Sequence, residues 1–138
     1  MQILGENEYS TNPTIGPISY DCVAMTDEFI NLVQEFYQNN KDYVLQHAQR
    51  VNFVTPPTNA PGINPHGESQ NMAYFELQSK SGKKSCYLVD VAGCYYHHDV
   101  WAKAFEAETT QEVIDHGIHW LNGALPNSNW KNSGIQKP

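Results

Sequence analysis

The residues whose types and spacing best suit chemistry are two groups of histidines. His97 and His98 precede Asp99 at the end of an apolar segment, and His116 and His119 are three residues apart. On a helix, that spacing places both imidazoles on one face. Four imidazoles match the four ligands of a tetrahedral zinc site, which would indicate a metal-assisted hydrolase. No local spacing holds the two groups together as an HExxH motif would, so we expect no bound metal and no cofactor.

Two further side chains invite a catalytic interpretation. Cys94 lies three residues before His97 and could form a Cys–His nucleophile, which needs a partly exposed thiolate in an electropositive setting. Its neighbours are apolar and the chain is acidic, so an inert buried thiol is the better interpretation. Asp90 lies inside the apolar segment 85–96, where a carboxylate must be paired, protonated or functional. We favour a carboxylate that is hydrogen-bonded to a neighbouring tyrosine, or exposed at a sheet edge, over a role as a general acid or base.

Periodicity predicts the elements that position these groups. Thr26 is the predicted N-cap of an amphipathic helix whose apolar spacing continues over residues 26–49. Phe36 lies in the middle of the apolar stripe, so replacing it with alanine is predicted to cost about 3–5 kcal/mol. A short strand is predicted at 51–54. Residues 85–96 are apolar on both faces, which predicts a central strand.

A hairpin and a second helix follow from local signals. Strand 72–78 is predicted to pair with 85–96 around a turn at 80–83, with residue 79 opposite residue 84. In that register Phe75 and Leu88 share a face with Asp90. A short helix is predicted over 99–105. Thr109 and Glu112 form a capping box that begins a helix reaching about residue 123.

These elements predict a single α+β domain over residues 1–138. An antiparallel sheet of three or more strands carries the helices of 26–49 and 99–123, with a polar N-terminal arm at 1–23 and a tail at 127–138. The predicted helix pair and the following VNFVTP resemble the opening of the cone-shaped, nuclear-transport-factor type of fold. The resemblance covers residues 26–57 and implies a pocket fold as the alternative. The chain departs from that fold after residue 99, where the fold needs further long strands and this sequence predicts helix.

Composition excludes several classes of function. The 138-residue chain has a net charge of -7, and its single arginine, Arg50, argues against a nucleic-acid surface. No apolar run approaches the 18 residues of a membrane span, and the N-terminus lacks the features of a signal peptide. Three cysteines without a CxxC motif indicate a reducing compartment. We therefore predict a cytoplasmic protein that binds neither nucleic acid nor membrane.

A proline-rich loop at 55–70 and an acidic helix face are the predicted recognition surfaces. The predicted binding residues are Ile63 and His66 in the loop, with Glu112, Asp115, His116 and His119 on the helix. The profile favours a non-enzymatic protein-binding module that blocks a partner with a basic surface. A small cognate inhibitor of the immunity or anti-defence type fits it, as does a structural phage component. The alternatives are a metal-assisted hydrolase using His97, His98, His116 and His119, and a small-molecule pocket.

Overall fold

The computed structural model describes residues 22–59, 65–67, 69–91, 103–124, 129 and 131–132. In chain order its elements are α1 (Cys22–Tyr37), β1 (Tyr43–Val54), β2 (Ser69–Ser79), β3 (Lys84–Asp90), β4 (Lys103–Ala107), α2 (Thr110–Ala124) and β5 (Lys131–Asn132). The strands form one antiparallel sheet in the order β4-β3-β2-β1-β5. The predicted α+β class is confirmed. The limits predicted for the arm and the tail fall largely outside the described residues and stay predictions.

The sheet lies between the two helices, one on each face. Successive side chains of a strand point to opposite faces. On β2, Ala73 and Phe75 pack with Ile30 of α1, whereas Met72 and Tyr74 pack with the apolar stripe of α2. For this reason the residues of β2 are buried on both faces of the sheet. The larger cluster lies on the α2 side and consists of Val51, Phe53, Met72, Tyr74, Cys86, Leu88, Val113, Ile114 and Leu121.

The prediction of one long helical region is wrong after residue 37. Residues 43–49 belong to β1, which pairs with β2 from Tyr43 opposite Ser79 to Val54 opposite Ser69. Asn40 turns the chain, because its side-chain oxygen accepts hydrogen bonds from the backbone N–H groups of Asp42 (2.9 Å) and Tyr43 (3.0 Å). The second helix of the predicted pair does not form, so the resemblance to the nuclear-transport-factor fold loses the element that carried it.

Two predictions at the ends of α1 also need correction. The helix begins at Cys22, so Thr26 is an interior, fully buried residue and not the N-cap. Phe36 is 69% exposed and contacts the ring of Tyr37 at 4.9 Å, outside the core. The residues that face the sheet are Phe29, Ile30 and Val33. Phe36 therefore lies to one side of the stripe that is buried.

Phe36→Ala is now expected to lower the free energy of unfolding by less than about 1 kcal/mol, as an exposed side chain should. Ile30→Ala in the same helix should cost roughly 2–5 kcal/mol, because Ile30 is 7% exposed and packs on Ala73 and Phe75. Urea denaturation of both variants measures the difference. A larger loss for Phe36→Ala than for Ile30→Ala would show that α1 is rotated about its axis.

The β2–β3 hairpin forms, but in a register one residue away from the prediction. Tyr74 lies opposite Leu88, and Phe75 opposite Tyr87. The turn is shorter than predicted: the Ser79 N–H donates to the carbonyl of Lys83 (2.9 Å), and Gly82 takes a φ of 89°. Hairpin loops of three residues commonly end with a glycine in this left-handed region. A shift of one residue changes which side chains share a face, so Asp90 lies on the face of Leu88 and not of Phe75.

In the second half of the chain, the prediction of helix α2 is confirmed and the predictions for the segments before it need correction. Helix α2 forms where the cap predicted it: the Glu112 N–H donates to Thr109 Oγ1 (3.2 Å), and the Thr109 hydroxyl donates to Glu112 Oε1 (3.0 Å). Residues 103–107 form strand β4, so the helix predicted over 99–105 is wrong in its described part. Strand β3 ends at Asp90, short of the predicted 96. Residues 92–102 lie outside the described residues.

Candidate functional site

An apolar groove lies between α1 and the sheet. Helix α1 packs against β1 and β2 but, among the described elements, not substantially against β3. The resulting cavity of about 220 Å³ is lined by three residues of α1 and four of the sheet: Phe29, Val33, Tyr37, Phe75, Leu77, Tyr87 and Val89. We call this cavity the α1 groove.

The local sequence explains the lining. Phe29, Val33 and Tyr37 are four residues apart, so they form one row along the helix. Phe75 and Tyr87 are cross-strand partners on the α1 face of the sheet. The rings of Phe29 and Phe75 meet at 66° with their centroids 6.0 Å apart, which makes an aromatic corner between helix and sheet.

A carboxylate adjoins this groove. Glu106 of β4 is the cross-strand partner of Tyr87, and the two side chains are hydrogen-bonded. That hydrogen bond and burial raise the pKa of Tyr87 to about 12. The phenol therefore stays protonated at neutral pH and donates to Glu106, which is exposed. The groove thus combines apolar and aromatic walls with the carboxylate of Glu106 beside Tyr87.

A second polar cluster lies on the opposite face, where α2 begins. The Tyr74 hydroxyl donates to Glu76 at 2.5 Å, and it lies 2.6 Å from the Thr110 hydroxyl. Glu76 also accepts a hydrogen bond from Lys84 Nζ at 2.9 Å. Burial, followed by the hydrogen bond to Glu76, raises the pKa of Tyr74 well above its ordinary value. Because these bonds join the first turn of α2 to two strands, the cluster positions the helix on the sheet.

Glu76→Gln is expected to cost about 1–2 kcal/mol of unfolding free energy at pH 7, as the loss of a charged hydrogen-bond partner does. Burial opposes ionisation of Glu76, but the hydrogen bonds from Tyr74 and Lys84 outweigh it and lower its pKa. A lowered pKa adds stability above the unfolded-state value, near 4.3, and that stability is lost as the pH falls through the folded-state pKa.

Urea midpoints between pH 3 and 7 measure this dependence. The gap between the parent and Glu76→Gln should narrow as the pH falls, whereas Glu35→Gln, at an exposed helix position, should show little difference at any pH. A gap that stayed constant over the whole range would contradict an ionised Glu76 as the stabilising species.

The predicted helix-face residues fall on the outer surface of α2. Glu112 takes part in the cap, and Asp115 accepts a hydrogen bond from Gln111 Nε2 at 2.9 Å. His116 stacks on Phe105 with the ring centroids 6.1 Å apart, and His119 is exposed. All four side chains are exposed, and their role in binding stays a prediction. In the part of the chain that the structure describes, no three metal-ligating side chains come together, and His97 and His98 lie outside that part.

The proline-rich loop is described only at its two ends. In the loop, His66 is exposed and Ile63 lies outside the described residues. Cys94 and Asp99, in the later part of the chain, also lie outside them. The Thr58 N–H donates to the carbonyl of Pro65 (3.2 Å), which closes the base of the loop. Gly67 has a φ of 100°, and a Cβ there would meet the Thr55 carbonyl oxygen at 2.5 Å. The base is therefore part of the fold, and recognition by the loop stays a prediction.

Asp90 is fully buried between the sheet and α2. Its carboxylate accepts hydrogen bonds from Gln70 Nε2 at 2.7 Å and from Trp120 Nε1 at 2.9 Å. Of the two structural interpretations, pairing is right and exposure at an edge is wrong, although these two partners are an amide and an indole and not a tyrosine. They come from the last residues of the loop and from α2, which are distant from Asp90 in the sequence.

No family model, no curated protein and no solved structure matches this chain. No helix among the described residues is long and apolar enough to cross a membrane.

The α1 groove is the feature that sequence reasoning missed. The four-residue spacing of Phe29, Val33 and Tyr37 indicates the helix wall of the groove. The residues of its sheet wall follow only from the register of the hairpin, which the sequence does not determine.

Proposed function

We propose that this protein is a non-enzymatic binding protein that takes a side chain of a protein partner into the α1 groove. The observation that carries the proposal is the groove itself, an apolar and aromatic cavity beside the exposed carboxylate of Glu106. Interfaces of this kind obtain most of their binding energy from a few anchor side chains buried in pockets.

The size of the groove favours an anchor side chain over a free small molecule. Sites for drug-sized ligands usually occupy roughly 300–1,000 Å³, whereas the α1 groove has about 220 Å³. That volume suits the end of one large side chain. Burying such a side chain contributes roughly 1.5–3 kcal/mol, enough for a hot spot but not for a complete interface. Contacts around the rim must supply the remainder.

Charge supports a partner with a basic surface. The chain carries a net charge of -7, and Glu106 places one of these charges at the groove. Complementary charges speed association and select against wrong partners. An inhibitor of the immunity or anti-defence type would act in this way, by occupying the functional surface of a basic partner.

Selection from a random peptide display library tests the proposal without a known partner. We expect the parent protein to enrich peptides in which a large apolar or aliphatic-stemmed residue has Lys or Arg beside it. Val33→Trp should fill the groove and abolish this binding. Leu32→Trp is the matched control, because Leu32 is the adjacent residue on the exposed side of α1. Thermal melts establish that both variants are folded.

The outcome separates the groove from the surfaces predicted earlier. Enriched peptides that bind Val33→Trp as well as the parent would contradict the proposal. If Asp115→Lys then removed their binding, the recognition surface would be the α2 face of Glu112, Asp115, His116 and His119. Binding that does not weaken with added salt would contradict the basic character of the partner.

A further inference from the structure

The composition of the α1 groove narrows the chemistry of the side chain that it accepts. Four of its lining residues, Phe29, Tyr37, Phe75 and Tyr87, are aromatic. The Phe29 and Phe75 rings stand at 66° to each other, and Tyr87 is hydrogen-bonded to Glu106. Several rings around a small cavity, with a carboxylate beside them, form an arrangement that attracts a cation through the electron-rich faces of the rings.

We propose that the α1 groove binds an alkylated ammonium group, the methylated side chain of a lysine on the protein partner. This inference rests on the proposed function and specifies the anchor. The aromatic walls attract the positive charge, and the carboxylate of Glu106 adds to the attraction. The aliphatic stem of the lysine then packs on Val33 and Leu77.

The balance of hydrogen-bonding groups distinguishes this cation from an unmodified lysine. An unmodified ammonium group has three N–H donors, and burying them without acceptors is costly. The groove is walled mainly by carbon, and the Tyr87 hydroxyl already donates its hydrogen to Glu106. A trimethylammonium group has no N–H donors and spreads its charge over its methyl groups. It therefore loses less on leaving water while keeping the attraction to the rings.

The experiment compares three probes that differ only at the head group. They are Nα-acetyl-Nε-trimethyl-lysine amide, its unmethylated counterpart, and the neutral analogue in which carbon replaces the ammonium nitrogen. Each is titrated into the isotope-labelled full chain and followed by NMR. We expect the trimethylated probe to bind about tenfold more tightly than either of the others, as cation–π recognition allows. The largest shifts should come from residues of the groove.

Matched variants test the two sources of attraction separately. Phe29→Leu keeps an apolar wall but removes a ring, so it should reduce the preference for the trimethylated probe over the neutral analogue. Tyr43→Leu removes an exposed aromatic ring that does not line the groove and should leave the preference unchanged. Glu106→Gln should weaken the trimethylated probe about threefold or more and leave the neutral analogue unaffected, in line with cation binding.

Equal affinities for the trimethylated and neutral probes would overturn the inference and leave the proposed function standing, because the groove would then be a simple apolar site. Failure of all three probes to bind at millimolar concentration, while display peptides still require an open groove, would overturn it in the same way. Failure of the proposed function is a separate observation, namely that Val33→Trp does not affect the binding of selected peptides.

Discussion

Gly117→Leu is expected to lower the free energy of unfolding by about 3 kcal/mol or more, because there is no room for a side chain between α2 and the sheet at this residue. A Cβ atom at Gly117 would lie 2.4 Å from Leu88 Cδ2, 3.4 Å from Phe53 Cζ and 3.6 Å from Met72 Sδ. Leu88 and Phe53 are completely buried. The added side chain would force the helix away from the core or its neighbours out of their preferred rotamers.

The same helix provides a matched control. A Cβ at Gly123 would have nothing within 4 Å, so Gly123→Leu should be neutral or stabilising by up to about 1 kcal/mol through helix propensity. Urea denaturation of the two variants compares the sites directly. Gly117→Ala in a Leu88→Ala background should be less harmful than in the parent, since the side chain that it meets has been removed. Equal stabilities for Gly117→Leu and Gly123→Leu would contradict the placement of α2.

Sequence reasoning succeeded where the signal was local. Helix α2 was predicted because Thr109 and Glu112 lie within one turn and the apolar residues that follow keep helical spacing. The hairpin of β2 and β3 was also recognised from two β-rich segments. Its register was missed, because the choice between a three-residue and a four-residue loop depended on the left-handed conformation of Gly82.

The error in β1 has a specific physical origin. The pairing of β1 with β2 shifts between Leu45 and His47, where one extra residue is inserted. The bulge reverses the alternation, so Leu45 and Ala48 both pack against the α1 side although they are three residues apart. The helical spacing that the sequence suggests is that of Tyr43, Val44, His47 and Ala48, whereas β1 exposes Tyr43 and Val44 and packs Ala48 against the α1 side. A strand with a bulge therefore resembled a continuation of the preceding helix.

The α1 groove lay beyond prediction because it is a gap between elements and not a motif. It exists because α1 covers β1 and β2 and leaves the side chains of Tyr87 and Val89 open to one side. That coverage depends on the strand order and on the position of the helix across the sheet. Neither quantity is encoded in any short segment.

Replacing Asp90 with alanine is the other change for which we expect a large loss, about 3–5 kcal/mol of unfolding free energy. Removal of the carboxylate takes away the two oxygens that accept hydrogen bonds from Gln70 Nε2 and Trp120 Nε1. Each lost hydrogen bond to a charged group costs roughly 1.5–3 kcal/mol, and the lost volume adds a cavity. Asp115→Ala is the control, because that acid is exposed on α2 and only accepts a surface hydrogen bond from Gln111.

Asp90→Asn tests whether Asp90 only supports the fold or also acts on a ligand. Asparagine has nearly the same shape, but its NH₂ group must face one of the two donors, so stability should fall by an amount between those of the parent and Asp90→Ala. Binding in the α1 groove should persist in this variant wherever it remains folded, since Asp90 lies on the α2 face of the sheet and the groove on the α1 face. An Asp90→Asn protein with parental stability but no binding of selected peptides would overturn both the structural role of Asp90 and its separation from the site. Urea denaturation and peptide binding on the same samples therefore decide between an acid that joins loop, sheet and helix and one that acts on a ligand.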